Sequence, residues 1–109
     1  MYIYNITINI DCSIRNQWLV WIKKHILEVL ATGYFTSAKL TQVLVEQEAE
    51  GFTYAVQYIA KTRADLNNYY KQYSAELRKQ GTEKFADKMM TFRTELKLID
   101  EFYPAVIKN

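Results

Sequence analysis

The chain is poor in the residues that mark disulfide-stapled, metal-binding or disordered proteins. It has one cysteine, one proline, one histidine and three glycines in 109 residues. A lone Cys12 excludes an intrachain disulfide and fits a reducing compartment. With so few histidines and cysteines there is no metal-ligand spacing, and the chain has neither a glycine-rich phosphate loop nor a nucleophile elbow, so no cofactor is expected. No apolar run approaches the roughly 18 residues that a spanning helix needs. The first residues lack the basic region and apolar run of a signal peptide, so the cytoplasm is the expected location. An excess of one charge is also missing. Fourteen basic and twelve acidic residues are spread along the chain for a formal net charge of +2. That balance makes no strong field for a phosphate backbone or an anionic membrane, and neither is an expected partner.

What is present is apolar and aromatic. Half the residues are hydrophobic, with nine Tyr, five Phe and two Trp. A chain of this size is expected to form a single domain, residues 1–109, with a modest core. Some of so many aromatics must then lie near the surface or against a partner.

Residues Tyr2 to Ile10 alternate, with Tyr2, Tyr4, Ile6, Ile8 and Ile10 on one side and Ile3, Asn5, Thr7 and Asn9 on the other. A period of two in β-branched and aromatic residues predicts a strand. Asp11 and Ser13 can cap a helix start. Beyond them Ile14, Trp18, Trp21, Ile22, Ile26, Val29 and Leu30 follow a 3.6 period, and Gly33 can end the helix. A second strand is expected over Phe35 to Glu46, a polar turn over Glu48 to Gly51, and a third strand over Phe52 to Tyr58, the pair forming a hairpin. Thr62 and Asp65 resemble a capping box. Leu66, Tyr69, Tyr70, Tyr73 and Leu77 then share a helical face that Gly81 closes, and Phe85 falls in a short link. A last strand from about Met89 to Ile99 sets Met90, Phe92, Leu96 and Leu98 against Thr91, Arg93, Glu95 and Lys97. The tail from Phe102 to Ile107 is apolar around Pro104 and is expected to pack on something.

The order βαββαβ is that of the ferredoxin-like α+β fold, a four-stranded antiparallel sheet with two helices on one face. The right-handed crossover rule puts the first and third strands in the centre. Tyr4, Ile6, Ile8, Tyr54, Val56, Phe92 and Leu96 are the expected helix-facing positions. Ile3, Asn5, Thr7, Ala55, Gln57, Ile59, Arg93 and Glu95 are expected on the opposite, open face.

Four segments, YNITINID (Tyr4 to Asp11), HILEVLATGYF (His25 to Phe35), TYAVQY (Thr53 to Tyr58) and FRTEL (Phe92 to Leu96), resemble in order a family of small bacterial proteins of unknown function. Leu27 departs from that pattern, in which a proline often follows the His-Ile pair. The resemblance implies a dimeric α/β barrel, in which two ferredoxin-like protomers stack sheet to sheet as a homodimer. It implies no activity, since fold alone does not transfer function.

Two groups of residues could carry chemistry. His25, between Trp21 and Val29 on the first helix, is a candidate proton shuttle or haem ligand, as in related barrels with monooxygenase or isomerase chemistry. The plainer reading is a packed histidine bonded to a carbonyl or carboxylate. The second group is the polar set expected on the open face. In a stacked dimer Asn5, Thr7, Gln57 and Arg93 would line an interfacial cavity for a small organic ligand, with Arg93 holding an anionic group and Glu95 a candidate base. The plainer reading pairs these charges across strands or between subunits. Tyr69, Tyr70 and Tyr73 are read as packing, and Cys12 as structural. An RNA-binding alternative rests on MYIYNI (Met1 to Ile6) and on Gly51, Phe52 and Tyr54, which resemble the motifs of the RNA recognition fold. Against it, Glu50 takes a basic position and Gln57 the last aromatic one, while Tyr58 follows one residue late.

Overall fold

The computed structural model describes residues 1–44 and 51–105. Strand β1 (Tyr2–Asp11) leads through a 3-10 turn into helix α1 (Arg15–Ala31). Strands β2 (Ser37–Val43) and β3 (Gly51–Ala60) follow. A second helical stretch is built from α2 (Arg63–Tyr69), a π-helical turn (Tyr70–Ser74) and α3 (Ala75–Phe85), and strand β4 (Met89–Lys97) completes the sheet. The strand order is β2-β3-β1-β4, every pair antiparallel. This is the expected ferredoxin-like arrangement.

Local chemistry accounts for most of the boundaries. The Asp11 carboxylate accepts the Ser13 backbone N–H at 2.8 Å. Thr62 Oγ1 accepts from the Asp65 backbone N–H at 3.0 Å and so caps α2. Gly33, at φ +86°, makes the left-handed turn after α1. The core lies between the helices and the sheet, where Trp18, Val56, Leu66 and Tyr58 are fully enclosed. The shortest extent is only 20 Å, about one sheet and one layer of helices, so among the described residues no layer covers the other sheet face.

Three expectations need correction. Gly81 does not end the second helical stretch, which runs on to Phe85, itself a buried core residue and not part of a link. A Cβ on Gly81 would lie 3.0 Å from Trp21 Cη2 and from Met89 Cε, so the glycine permits close packing of α3. Tyr73 is 41% exposed, because the π turn adds a residue and rotates the buried stripe onto Ser74, Leu77, Gly81 and Phe85.

The third correction concerns β4. Tyr4 pairs with Glu95, Ile6 with Arg93 and Ile8 with Thr91, and directly opposed residues share a face. Arg93 and Glu95 therefore stand on the helix side, and Phe92 and Leu96 on the open face. The alternation holds, and its two sides are the reverse of those expected. A one-residue change of parity moves every side chain of a strand across the sheet. Strand β4 is an edge strand, and its polar side finds Tyr4, Thr91, Arg63 and Tyr70 as partners along the margin of the helices. Strand β2 begins at Ser37, while Phe35 is buried just before it. Most of the expected polar turn (48–50), the expected end of the second strand (45–46) and the last residues of the tail (106–109) lie outside the described residues. Strand β4 ends at Lys97, short of the expected Ile99, and in the described part of the tail Phe102 and Tyr103 are exposed, not packed on the protomer as expected.

At the start of β3, a Cβ on Gly51 would collide with the Ile10 carbonyl oxygen. Backbone atoms can yield only by parting the two central strands. Gly51→Ala is expected to lower the unfolding free energy by about 1–3 kcal/mol, read from urea denaturation. An unchanged midpoint would contradict the close approach.

Candidate functional site

Because β4 turns its polar side toward the helices, Arg93 joins a cleft whose opposite wall is α1 and α3. The inner part, about 40 Å³, is bordered by Trp21, His25, Tyr58, Tyr69, Arg78 and Arg93 among others. That is room for about three or four waters, at about 10–15 Å³ each. A wider groove of about 230 Å³ adjoins it, and Tyr4, Arg78 and Arg93 line both. Tyr70 and Glu95 form the groove's outer lip.

Arg93 is held in place by neutral partners. Its Nε donates to the Tyr4 hydroxyl at 3.0 Å, and Nη1 donates to Thr91 Oγ1 at 3.0 Å. Tyr4 in turn is locked by aromatic packing: its ring centroid lies 5.3 Å from Tyr70, 6.0 Å from Tyr69 and 6.1 Å from Tyr58. Among the described residues neither Arg78 nor Arg93 forms an ion pair, the two recorded pairs being Arg63–Glu95 and Lys79–Glu83. Both guanidiniums act on the Tyr69 phenol. Burial and the neighbouring Tyr4 raise its pKa, and Arg93 and Arg78 pull it back in part. Burial also raises the Tyr58 phenol far above its ordinary value, so both groups stay protonated and can serve as donors.

His25 stacks on Trp21, with ring centroids 4.5 Å apart and planes at 21°. Its Nδ1 is buried without a partner among the described residues. Burial lowers the pKa of the ring, against the opposing effects of the Gln80 side chain and the Glu28 charge. The imidazole is neutral at pH 7.

Glu95 has been drawn elsewhere. Arg63 Nη1 lies 2.9 Å from its Oε2, and the Tyr70 hydroxyl donates to the same oxygen at 2.8 Å. The Arg63 hydrogen bond, then that of Tyr70, keeps the carboxyl below its ordinary pKa. An ionised and doubly engaged carboxylate is not a poised base.

The candidate residues thus fall into two groups. Asn5 and Gln57 sit directly opposite on the open face, with Thr7 on the same strand, and Asn5 Nδ2 donates to Thr7 Oγ1 at 3.4 Å. His25 and Arg93 meet in the cleft, and Glu95 stands at its lip. Arg78, Tyr4, Tyr58 and Tyr69 also belong to the cleft, outside the candidate residues of the sequence. Their sequence signal is faint, since a tyrosine in a hydrophobic stripe reads as packing until its hydroxyl is located. The aromatic residues of the RNA-binding alternative, Phe52 and Tyr54, pair with Ile10 and Ile8 and face the helices, away from the open sheet where bases would stack. Cys12 is exposed at the end of β1. Among the described residues no His, Cys, Asp and Glu side chains converge as a metal site, and no helix is long and apolar enough to cross a membrane.

Residues 1–99 match the model of DUF4286, a domain of unknown function. The chain belongs to that family. No curated protein matches the sequence. Among solved structures, the DUF4286 chain is similar to a dimeric ferredoxin-like protein from an uncultured marine organism, at 12% identity and a TM-score of 0.58, covering 93% of this chain and 98% of that one. It is also similar to the de novo designed protein Foldit4, at 6% identity and a TM-score of 0.57, covering 89% and 97%. At such identities the likeness is one of fold.

The histidine gives a pH prediction. Its native pKa lies below the ordinary 6.5, so under that pH the unfolded chain takes up a proton that the native state resists. The native state loses nothing at His25 above about pH 6.5, and stability declines as pH falls toward the lowered native value. Melting temperatures from pH 7.5 to 5 should therefore fall less steeply for His25→Gln than for the parent. Parallel curves would mean that the ring titrates as in the unfolded chain.

Proposed function

We propose that the protein is a small-molecule-binding domain that works as a sheet-to-sheet homodimer, with one ligand site in the helix–sheet cleft of each protomer. The observation that carries this reading is Arg93, fixed by Tyr4 and Thr91 beside Arg78 and an unpartnered His25 nitrogen, with no acid on either guanidinium among the described residues. Convergent polar groups in a largely apolar recess are the usual make-up of a ligand site. The site expected between the two sheets is less well supported, because Arg93 has left that face and only neutral Asn5, Thr7 and Gln57 remain of the expected set. Binding also accounts for the residues better than acid–base catalysis by an Arg93–Glu95 pair, since Glu95 is engaged by Arg63 and Tyr70.

The dimer is supported by the open face. Met90, Phe92, Leu96 and Val43 are exposed there, and Ile3, Ala55 and Ile59 lie in the same rows. Apolar rows across a bare sheet favour a covering layer, and a second copy presents the same rows in return. The similar marine ferredoxin-like protein is dimeric.

Sedimentation equilibrium should give a mass near twice 12.9 kDa. Phe92→Glu, a change 65% exposed in the protomer, should halve that mass and leave the circular dichroism unchanged. A variant that stays dimeric would sink the sheet-to-sheet pairing. For the ligand site, a fragment screen followed by amide shifts should move Thr91, Arg93 and the Trp21 indole. Shifts gathered instead on Asn5, Thr7 and Gln57 would place the site between the sheets.

A further inference from the structure

We infer that the molecule held in the cleft is a small carboxylate with a flat apolar body, gripped at its anionic end by Arg93 and Arg78. The inference rests on the ligand-binding reading above and names the chemical class.

Charge comes first. Arg93 spends Nε and one Nη1 hydrogen on Tyr4 and Thr91, which leaves the other Nη1 hydrogen and both on Nη2. A guanidinium fixed by two bonds to neutral oxygens is already oriented, so a planar carboxylate meets it at little entropic cost. Arg78 reaches the same space from α3, and both act on the Tyr69 phenol. Glu95, which lines the groove, is turned to Arg63 and Tyr70 and forms no ion pair with either guanidinium. Two cations lining one space, with no counter-ion among the described residues, repel each other, and an anion between them relieves that repulsion.

The inner end is of a different character. Its walls include Ile6, Ile22, Val29 and Met89 and the stacked rings of Trp21 and His25. Gly81 brings the helical wall close enough to narrow it, since even a methyl group there would lie 3.0 Å from Trp21. A narrow apolar slot beside flat rings suits a planar hydrocarbon part. Size completes the description. The inner space and the groove, about 40 and about 230 Å³, together fall short of the roughly 300–1,000 Å³ of drug-sized sites. A mononucleotide or a folded cofactor is too large, and a single-ring acid fits.

The test titrates ¹⁵N-labelled protein with 4-hydroxybenzoate, with the neutral 4-hydroxybenzamide, and with inorganic phosphate. The expected result is saturable movement of the Trp21 indole and the Thr91 and Arg93 amides by the carboxylate, at least about tenfold tighter than by the amide. Arg93→Gln keeps a donor for Tyr4 and should lose that advantage. Arg78→Ala, on an exposed helix position, should weaken the carboxylate and leave the amide unchanged. If amide and carboxylate bind the cleft equally, the site stands and the class is wrong. Phosphate binding there more tightly than the carboxylate would likewise overturn the class. If none of the probes moves the cleft resonances, the class and the site both fall.

Discussion

The hydroxyl of Tyr4 and the ring beneath it join the two halves of this molecule. The ring packs among Phe35, Tyr58, Tyr69 and Tyr70, which come from three separate parts of the chain. The hydroxyl accepts the Nε proton of Arg93 on the neighbouring strand. A buried tyrosine needs a polar partner at its tip, and an arginine on a half-covered edge strand needs oxygen acceptors. One contact answers both needs, and it sets the side of β4 that turns inward. The cleft, its cationic rim and the bare apolar sheet all follow from that choice of side.

With Arg93, Glu95 and Thr91 directed toward the helices, Met90, Phe92 and Leu96 have nowhere to go but the open face. In a protein that worked alone, Met90, Phe92 and Leu96 would cost solubility and invite aggregation. In the proposed sheet-stacked pair the same residues would form the seam. The polar lip of the cleft and the exposed apolar row are two sides of one alternating strand, so neither can change parity without the other.

Much of the fold was legible because its signals are local. Period two along Tyr2 to Ile10, period 3.6 from Ile14 to Leu30, the Asp11 and Thr62 caps and the turn at Gly33 each depend on near neighbours in the chain. Where the second helical stretch departed from expectation, the cause was packing from elsewhere. Gly81 looked like a terminator and is a contact with Trp21, while a π turn moved the buried stripe off Tyr73 and onto Ser74. The site was less legible. His25 stood out as the one histidine and Arg93 as a cation in a strand, but nothing in their spacing placed them in one cleft with Arg78.

The sequence by itself determined the kinds of element, their order and hence the ferredoxin-like topology, because hydrophobic periodicity and capping act over a few residues. It also determined that β4 has one apolar and one polar side. Only the tertiary structure decided which side faces the helices. An alternating pattern is symmetric with respect to the sheet, and rating apolar residues as inward presumes that the far face meets water. Here the partners of Arg93 and Glu95 lie as many as 89 residues away along the chain, and that long-range hydrogen bonding, invisible to any local window, settled the direction.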